Sequence, residues 1–185
     1  MRPSLLLVTV LCCGGCASGG LVATDIDGAT QRLTGPDGHV SVLIFSAHEC
    51  PISNAYAAEI NRLDDAYRPR GVRFFIVHVD PDLSRPAARQ HAAEYRYRCP
   101  VLLDSRHALV RRFRATTTPE AFVLDARGRV LYHGRIDDRY ADLGVRRPQP
   151  TVRDLRDALD AILSGRPVAN RATAAVGCPI PERES

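Results

Sequence analysis

The chain has 185 residues, 45% of them apolar and 25% charged, with a net charge of +4, enough for one compact domain with a hydrophobic core of its own. Every basic residue is arginine, which excludes Schiff-base chemistry on lysine and a phosphate loop built around one; with no Trp and one Met, a methionine-rich metal site is excluded too. The arginines are scattered along the chain and predict a solvated surface without a nucleic-acid partner.

The first segment reads as an address. Arg2 precedes an apolar run from Leu5 to Cys13, too short for a permanent bilayer span and suited to a secretory signal. It ends in Gly14-Gly15-Cys16-Ala17-Ser18, which resembles the bacterial lipoprotein signal, although Cys13 stands where Leu is usual. The expectation is a signal peptide over 1–16, lipidation at Cys16, a tether over 17–20 and a mature domain over 21–165. The protein would then be exported and anchored to a membrane of the bacterial cell envelope, facing the periplasm or exterior. A cleaved, unlipidated signal is the main alternative. An oxidising compartment is where thiol chemistry is useful.

Val40–Ser46 is a short β-branched apolar run, read as a buried central strand. Ile52, Tyr56, Ile60, Leu63 and Tyr67 then recur at helical intervals, ending at Pro69 and Gly71. Val72–Val79 reads as a second buried strand, and Pro86 opens a helix with Ala88, Ala92 and Tyr95 on one face. Val101–Leu103 is a short strand, and Leu109, Val110 and Phe113 mark a short helix. Thr118-Pro119 precedes a strand at Ala121–Leu124, and Asp125-Ala126-Arg127-Gly128 reads as a hairpin turn into Val130–Gly134. Thr151 is a candidate N-cap for the last helix, carried by Val152, Leu155, Leu159 and Ile162 and ended by Gly165. The tail over 166–185 is read as irregular. This order predicts an α/β fold, a central mixed sheet with helices on both faces.

Of six cysteines, Cys50, Cys99 and Cys178 lie in the body, an odd number that argues against a purely structural disulfide framework. Cys50 follows the first buried strand and precedes a helix that Pro51 can open. A helix N-terminus favours thiolate, and His48 adds positive charge when protonated, opposed by Glu49. A thiolate is the form that attacks disulfides and peroxides.

Phe45-Ser46-Ala47-His48-Glu49-Cys50-Pro51-Ile52-Ser53 resembles the active-site segment of thioredoxin-like redoxins, the alkyl hydroperoxide reductase and thiol-specific antioxidant group. The likeness covers roughly residues 21–165, with an extra helix and strand over about 84–104, and extends to a bacterial subgroup with a Cys-Pro-Ile-Ser motif. It implies a thioredoxin-like fold with Cys50 as the nucleophile. Ser53 falls where many members carry a second cysteine, so an intramotif disulfide is out of reach. Leu43 and Ala47 replace the Pro and Thr of the peroxiredoxin pattern, which puts peroxidase activity in doubt. Thr118-Pro119 matches the family's cis-proline loop, implying that these residues dock an extended substrate. Gly134–Tyr140 and Gly177-Cys178-Pro179-Ile180 share the subgroup's character without an assigned role.

Cys50 lies past the C-terminal end of its strand, whereas Cys99 precedes its own strand and is expected near the opposite sheet edge, more than roughly 10 Å away. A disulfide needs Cα atoms within about 7 Å, so Cys99 is read as structural. Cys178, on a tail able to fold back across the sheet, is the preferred partner, with a stray surface thiol or an intermolecular link left open. His78 is read as a satisfied core or edge histidine, and His39, His91, His107 and His133 as surface or capping residues. His48, Cys50 and Cys178 could together make a soft metal site, but no spacing enforces one, and neither metal nor cofactor is expected. The leading expectation is a thiol–disulfide oxidoreductase acting on protein or small-molecule thiols and disulfides, with Cys178 or an external thiol resolving and a thiol reductant restoring it. A thiol peroxidase, a copper-handling module and a redox-inert interaction domain are the alternatives.

Overall fold

The computed structural model describes residues 20–181; the signal peptide, Cys16 and most of the tether lie outside them. A small hairpin, β1 (Val22–Thr24) and β2 (Thr30–Arg32), comes first. The central elements follow: β3 (Val40–Ser46), α1 (Pro51–Tyr67), β4 (Val72–His78), α2 (Arg85–Glu94), β5 (Val101–Leu103) and α3 (Ala108–Phe113). Then come β6 (Thr117–Thr118), β7 (Glu120–Leu124), β8 (Val130–Gly134), the small pair β9 (Tyr140–Asp142) and β10 (Val145–Arg146), α4 (Asp154–Leu163) and β11 (Cys178–Pro179).

The main sheet has the order β5-β4-β3-β7-β8. Strands β3, β4 and β5 run parallel, and β7 and β8 are antiparallel to their neighbours. The strand period of two divides the core cleanly. Val42, Ile44, Phe74, Ile76, Ala121 and Val123 face α1 and α4, joining Tyr56, Ile60, Leu63, Leu155 and Leu159. Leu43, Phe45, Phe75, Val77, Phe122 and Leu124 face the other way, onto Leu109 and Val110 of α3 and Leu33 after the first hairpin. Continuous apolar runs in β3 and β4 are thus what a sheet covered on both faces requires.

The helix boundaries follow local chemistry. Pro51 opens α1, whose apolar stripe Ile52, Tyr56, Ile60, Leu63 and Tyr67 is buried throughout. A short 3-10 turn over Arg68–Arg70 and Gly71 in the left-handed region (φ +82°) end it. Ser84 caps α2 by accepting from Ala87 N (3.3 Å).

Two expectations about the later chain are corrected. Thr151 does not cap α4, which starts at Asp154 after an uncapped Arg153. The Asp138 carboxylate takes the Thr151 hydroxyl together with the N–H groups of Thr151 (2.6 Å) and Val152 (2.9 Å). The Thr151 hydroxyl bond and those N–H groups hold the Asp138 carboxyl down to about 2. The tail is also less irregular than expected: His133 N donates to Arg171 O (2.9 Å), Thr173 N donates to His133 O (3.1 Å), and β11 pairs with β6.

Candidate active site

Cys50 is the N-cap of α1, four residues beyond β3, with its backbone extended (φ −74°, ψ 111°) and its sulfur accepting from Ser53 N (3.4 Å). The loop ahead of it is tied down on both sides. His48 N donates to the Asp80 carboxylate (2.9 and 3.1 Å), while Asn54 Nδ2 donates to His48 O (3.0 Å). Asn54 Oδ1 in turn lies 3.0 Å from His91 Nε2. Sequence reasoning missed Asn54, Asp80 and His91. Asn54 carried a weak signal, standing one helical turn after Cys50 on the same face.

The Thr118-Pro119 bond is cis, and Thr118 presents its carbonyl to the Cys50 thiol (Sγ to O 3.2 Å). On the far side of Thr118 lies the chain's own tail. Cys178 pairs with Thr118 and Pro179 with Thr117 in antiparallel register. Thr118 Oγ1 donates to Cys178 O (3.3 Å) and Ile180 N to Thr116 O (2.9 Å). Gly177 makes this approach possible: a Cβ there would stand 2.0 Å from Thr118 O, so no other residue fits without moving the strand. Thr118 and Pro119 therefore lie beside Cys50 as expected, but the strand edge they offer is taken by β11.

The electrostatics divide the two thiols. Burial opposes ionisation of Cys50, but the neighbouring Cys178 and Ser53 side chains and the bond from Ser53 N outweigh it and bring the thiol down to about 7. A contribution from Thr118 adds to that fall. Burial, together with the hydrogen bond and charge of Cys50, pushes the Cys178 thiol up to about 12. Near neutral pH the Cys50 thiol is thus about half ionised, whereas Cys178 stays protonated. Ser53 is itself buried, and its hydroxyl has no hydrogen-bond partner among the described residues.

Cys99 is elsewhere. It lines a hollow with Asp64, Arg68 and Val72 beside the start of β4, and burial pushes its thiol up to about 12.

The histidines are corrected as a group. His78 is fully buried with neither ring nitrogen hydrogen-bonded, the nearest carboxylate, Asp80, standing 3.7 Å from Nδ1; it is not the satisfied histidine expected. Burial, then the neighbouring His91 and His48, hold it down to about 3. His39, His91 and His107 are buried where surface positions were expected. His107 precedes α3 but gives no side-chain cap, its Nε2 lying 2.7 Å from Val79 O. His91 packs between His48 (5.0 Å) and His78 (4.9 Å). Among the described residues, no group of three or more His, Cys, Asp or Glu side chains is arranged to hold a metal ion.

The AhpC/TSA family model matches residues 20–133, more than half of the chain. The chain belongs to the AhpC/TSA family. No curated protein matches the sequence. Among solved structures, an uncharacterised conserved protein of Geobacillus kaustophilus is 28% identical, with a TM-score of 0.77 and 91% of each chain covered. A hypothetical protein of Sinorhizobium meliloti is 23% identical, with a TM-score of 0.74 over 91% of this chain and 93% of that one. A secreted Mycobacterium tuberculosis disulfide oxidoreductase, homologous to E. coli DsbE, is 20% identical, with a TM-score of 0.52 over 78% of this chain and 95% of that one. The fold is accordingly thioredoxin-like. Within this fold Cys50 stands at the N-terminus of α1 beside the cis Thr118-Pro119 bond, with Ser53 three residues further on.

Proposed function

We propose that the protein is a thiol–disulfide oxidoreductase in which Cys50 attacks and Cys178 resolves. The observation that carries this reading is Cys178 seated opposite Thr118 in antiparallel register, the same residue whose carbonyl contacts the Cys50 sulfur. The Cys50 thiolate attacks one sulfur of a disulfide RSSR; a Cys50–SR bond forms and RS⁻ leaves to be protonated. With Cys50 bonded, its negative charge is gone, and that contribution to the raised Cys178 value is relieved. Cys178 then gives up its proton, attacks the Cys50 sulfur and expels the second RS⁻. Two protein thiols are oxidised to a Cys50–Cys178 disulfide, RSSR is reduced to two thiols, and an external dithiol reverses the protein's oxidation. Ser53 cannot resolve the intermediate, so the tail supplies the second sulfur.

The test is mass-spectrometric disulfide mapping of the reduced protein after stoichiometric oxidised glutathione or hydrogen peroxide. The expected product with glutathione is a Cys50–Cys178 bond, with Cys99 left as a free thiol. A Cys50 that stays reduced with both oxidants would sink the reading. Family membership favours a second one, peroxide reduction through a Cys50 sulfenic acid; much faster oxidation by peroxide than by glutathione disulfide would select it. Ala47, with no hydroxyl to activate peroxide, weighs against that.

For location, we propose export and lipidation at Cys16, supported by the Arg2 flank, the apolar run and Gly14-Gly15-Cys16. The family match begins at residue 20, just after this leader. Intact mass of the membrane-extracted protein should show a lipid-modified Cys16 as the first residue.

A further inference from the structure

We infer that the tail strand β11 occupies the substrate-docking edge, so that the site takes low-molecular-weight disulfides and turns away polypeptide ones. The inference rests on the thiol–disulfide reading proposed above and names its substrate class.

An extended polypeptide docks beside a nucleophile by adding main-chain hydrogen bonds to an open strand edge. Here the edge nearest Cys50 is β6, whose Thr118 carbonyl contacts the sulfur. One edge accepts one neighbouring strand, and β11 already fills it in antiparallel register. The pairing is built in at several points. Ile180 N is bonded to Thr116 O, and the Ile180 side chain packs against the apolar cluster of that sheet face. Gly177 lies so close to Thr118 that a single Cβ would collide with its carbonyl. Upstream, the tail is pinned to β8 and the residues after it: Arg135 N donates to Thr173 Oγ1 (3.1 Å), which also lies 2.7 Å from Tyr132 OH. Cys178 therefore stands at the register position that a polypeptide's cysteine would need to reach Cys50. The tail acts as a tethered substrate strand. Cys50 is 3% exposed beneath it, so a reactant must reach the sulfur without adding a strand to this edge.

The experiment traps the first chemical step. In reduced Cys178→Ser protein, the Cys50 thiolate attacks a disulfide, forms a mixed disulfide and releases one thiol, and no second thiol resolves it. Mixed-disulfide formation is followed by intact mass with oxidised glutathione and, separately, with insulin. The same measurement is made on Gly177→Val/Cys178→Ser, where the new side chain expels the tail from Thr118. Ile180→Pro/Cys178→Ser, which removes the N–H bonded to Thr116, is the second undocking variant, and circular dichroism selects whichever is folded. The tail-docked protein is expected to react readily with glutathione disulfide and poorly with insulin. Undocking should raise the insulin rate by about tenfold or more while changing the glutathione rate less than about threefold, a barrier change confined to the polypeptide. Equal insulin rates in docked and undocked proteins, with glutathione reacting in both, would overturn the inference alone. Folded proteins whose Cys50 ignores glutathione disulfide would overturn the thiol–disulfide reading as well.

Discussion

At the scale of the residue, burial and neighbours shift the two thiols in opposite directions. Burial alone would keep Cys50 protonated; the neighbouring Cys178 and Ser53 reverse that and set the thiol to about 7. Cys178→Ala removes one of these neighbouring side chains while keeping the backbone pairing. The pH at which Cys50 alkylation is half-maximal, measured by peptide mass after iodoacetamide, should then rise by about one unit. An unchanged midpoint would mean that the helix N-terminus, not Cys178, sets the ionisation. Cys99 shows the contrasting case of a thiol that burial pushes up to about 12.

At the scale of the element, α1 and the loop before it act together. The helix carries its apolar stripe into the core and projects two polar groups that organise the site. Asn54 bridges the His48 carbonyl and His91. Tyr56 OH donates to Asp137 Oδ1 (2.5 Å), which also accepts from Arg139 N (2.9 Å), tying α1 to the segment after β8. Asn54→Ala would leave the His48 carbonyl and the His91 ring without their side-chain partner. The expected loss is about 1–3 kcal/mol, or a fall in Tm of roughly 2–4 °C for each kcal/mol, measured by thermal unfolding of the reduced protein. No change in Tm would mean that Asp80 alone holds the loop. The helix itself was legible from its 3.6-residue pattern and from Pro51. The roles of Asn54 and Tyr56 were not, because their partners come from β8's far end and from α2.

At the scale of the whole molecule, the thiols make the stability of the reduced protein depend on pH. A folded-state value held below the ordinary one adds stability at higher pH, and that stability is lost as pH falls through the folded value. Cys50 therefore makes the reduced protein more stable as pH rises from about 7 towards the ordinary thiol value of 9.0. Above 9.0 the sign turns: Cys99 and Cys178, both pushed up to about 12, ionise first in the unfolded chain and favour unfolding. Urea midpoints of the reduced protein should thus pass through a maximum near that pH. In Cys50→Ala the rise on the acid side should be missing; a rise of the same size in the variant would assign it to other groups.

The amino-acid sequence by itself determined the strand runs Val40–Ser46 and Val130–Gly134, the opening of α1 at Pro51, the hairpin at Asp125–Gly128 and the position of Cys50 where strand gives way to helix. Periodicity, proline and glycine act on the chain within a few residues, so these features can be read locally. Thr151 misled because the Asp138 carboxylate, brought up from a distant loop, offered its hydroxyl a better partner than the helix did. The histidines misled for a related reason. Whether His78 and His91 are buried depends on which faces α2 and β4 turn towards each other, not on either segment alone. Only the tertiary structure decided that β11 lies on the cis-proline edge, that Gly177 is small because Thr118 passes behind it, and that Cys178 pairs with the Thr118 whose carbonyl contacts the Cys50 sulfur. Each of those contacts joins segments far apart in sequence, and their pairing is fixed by packing and shared hydrogen bonds.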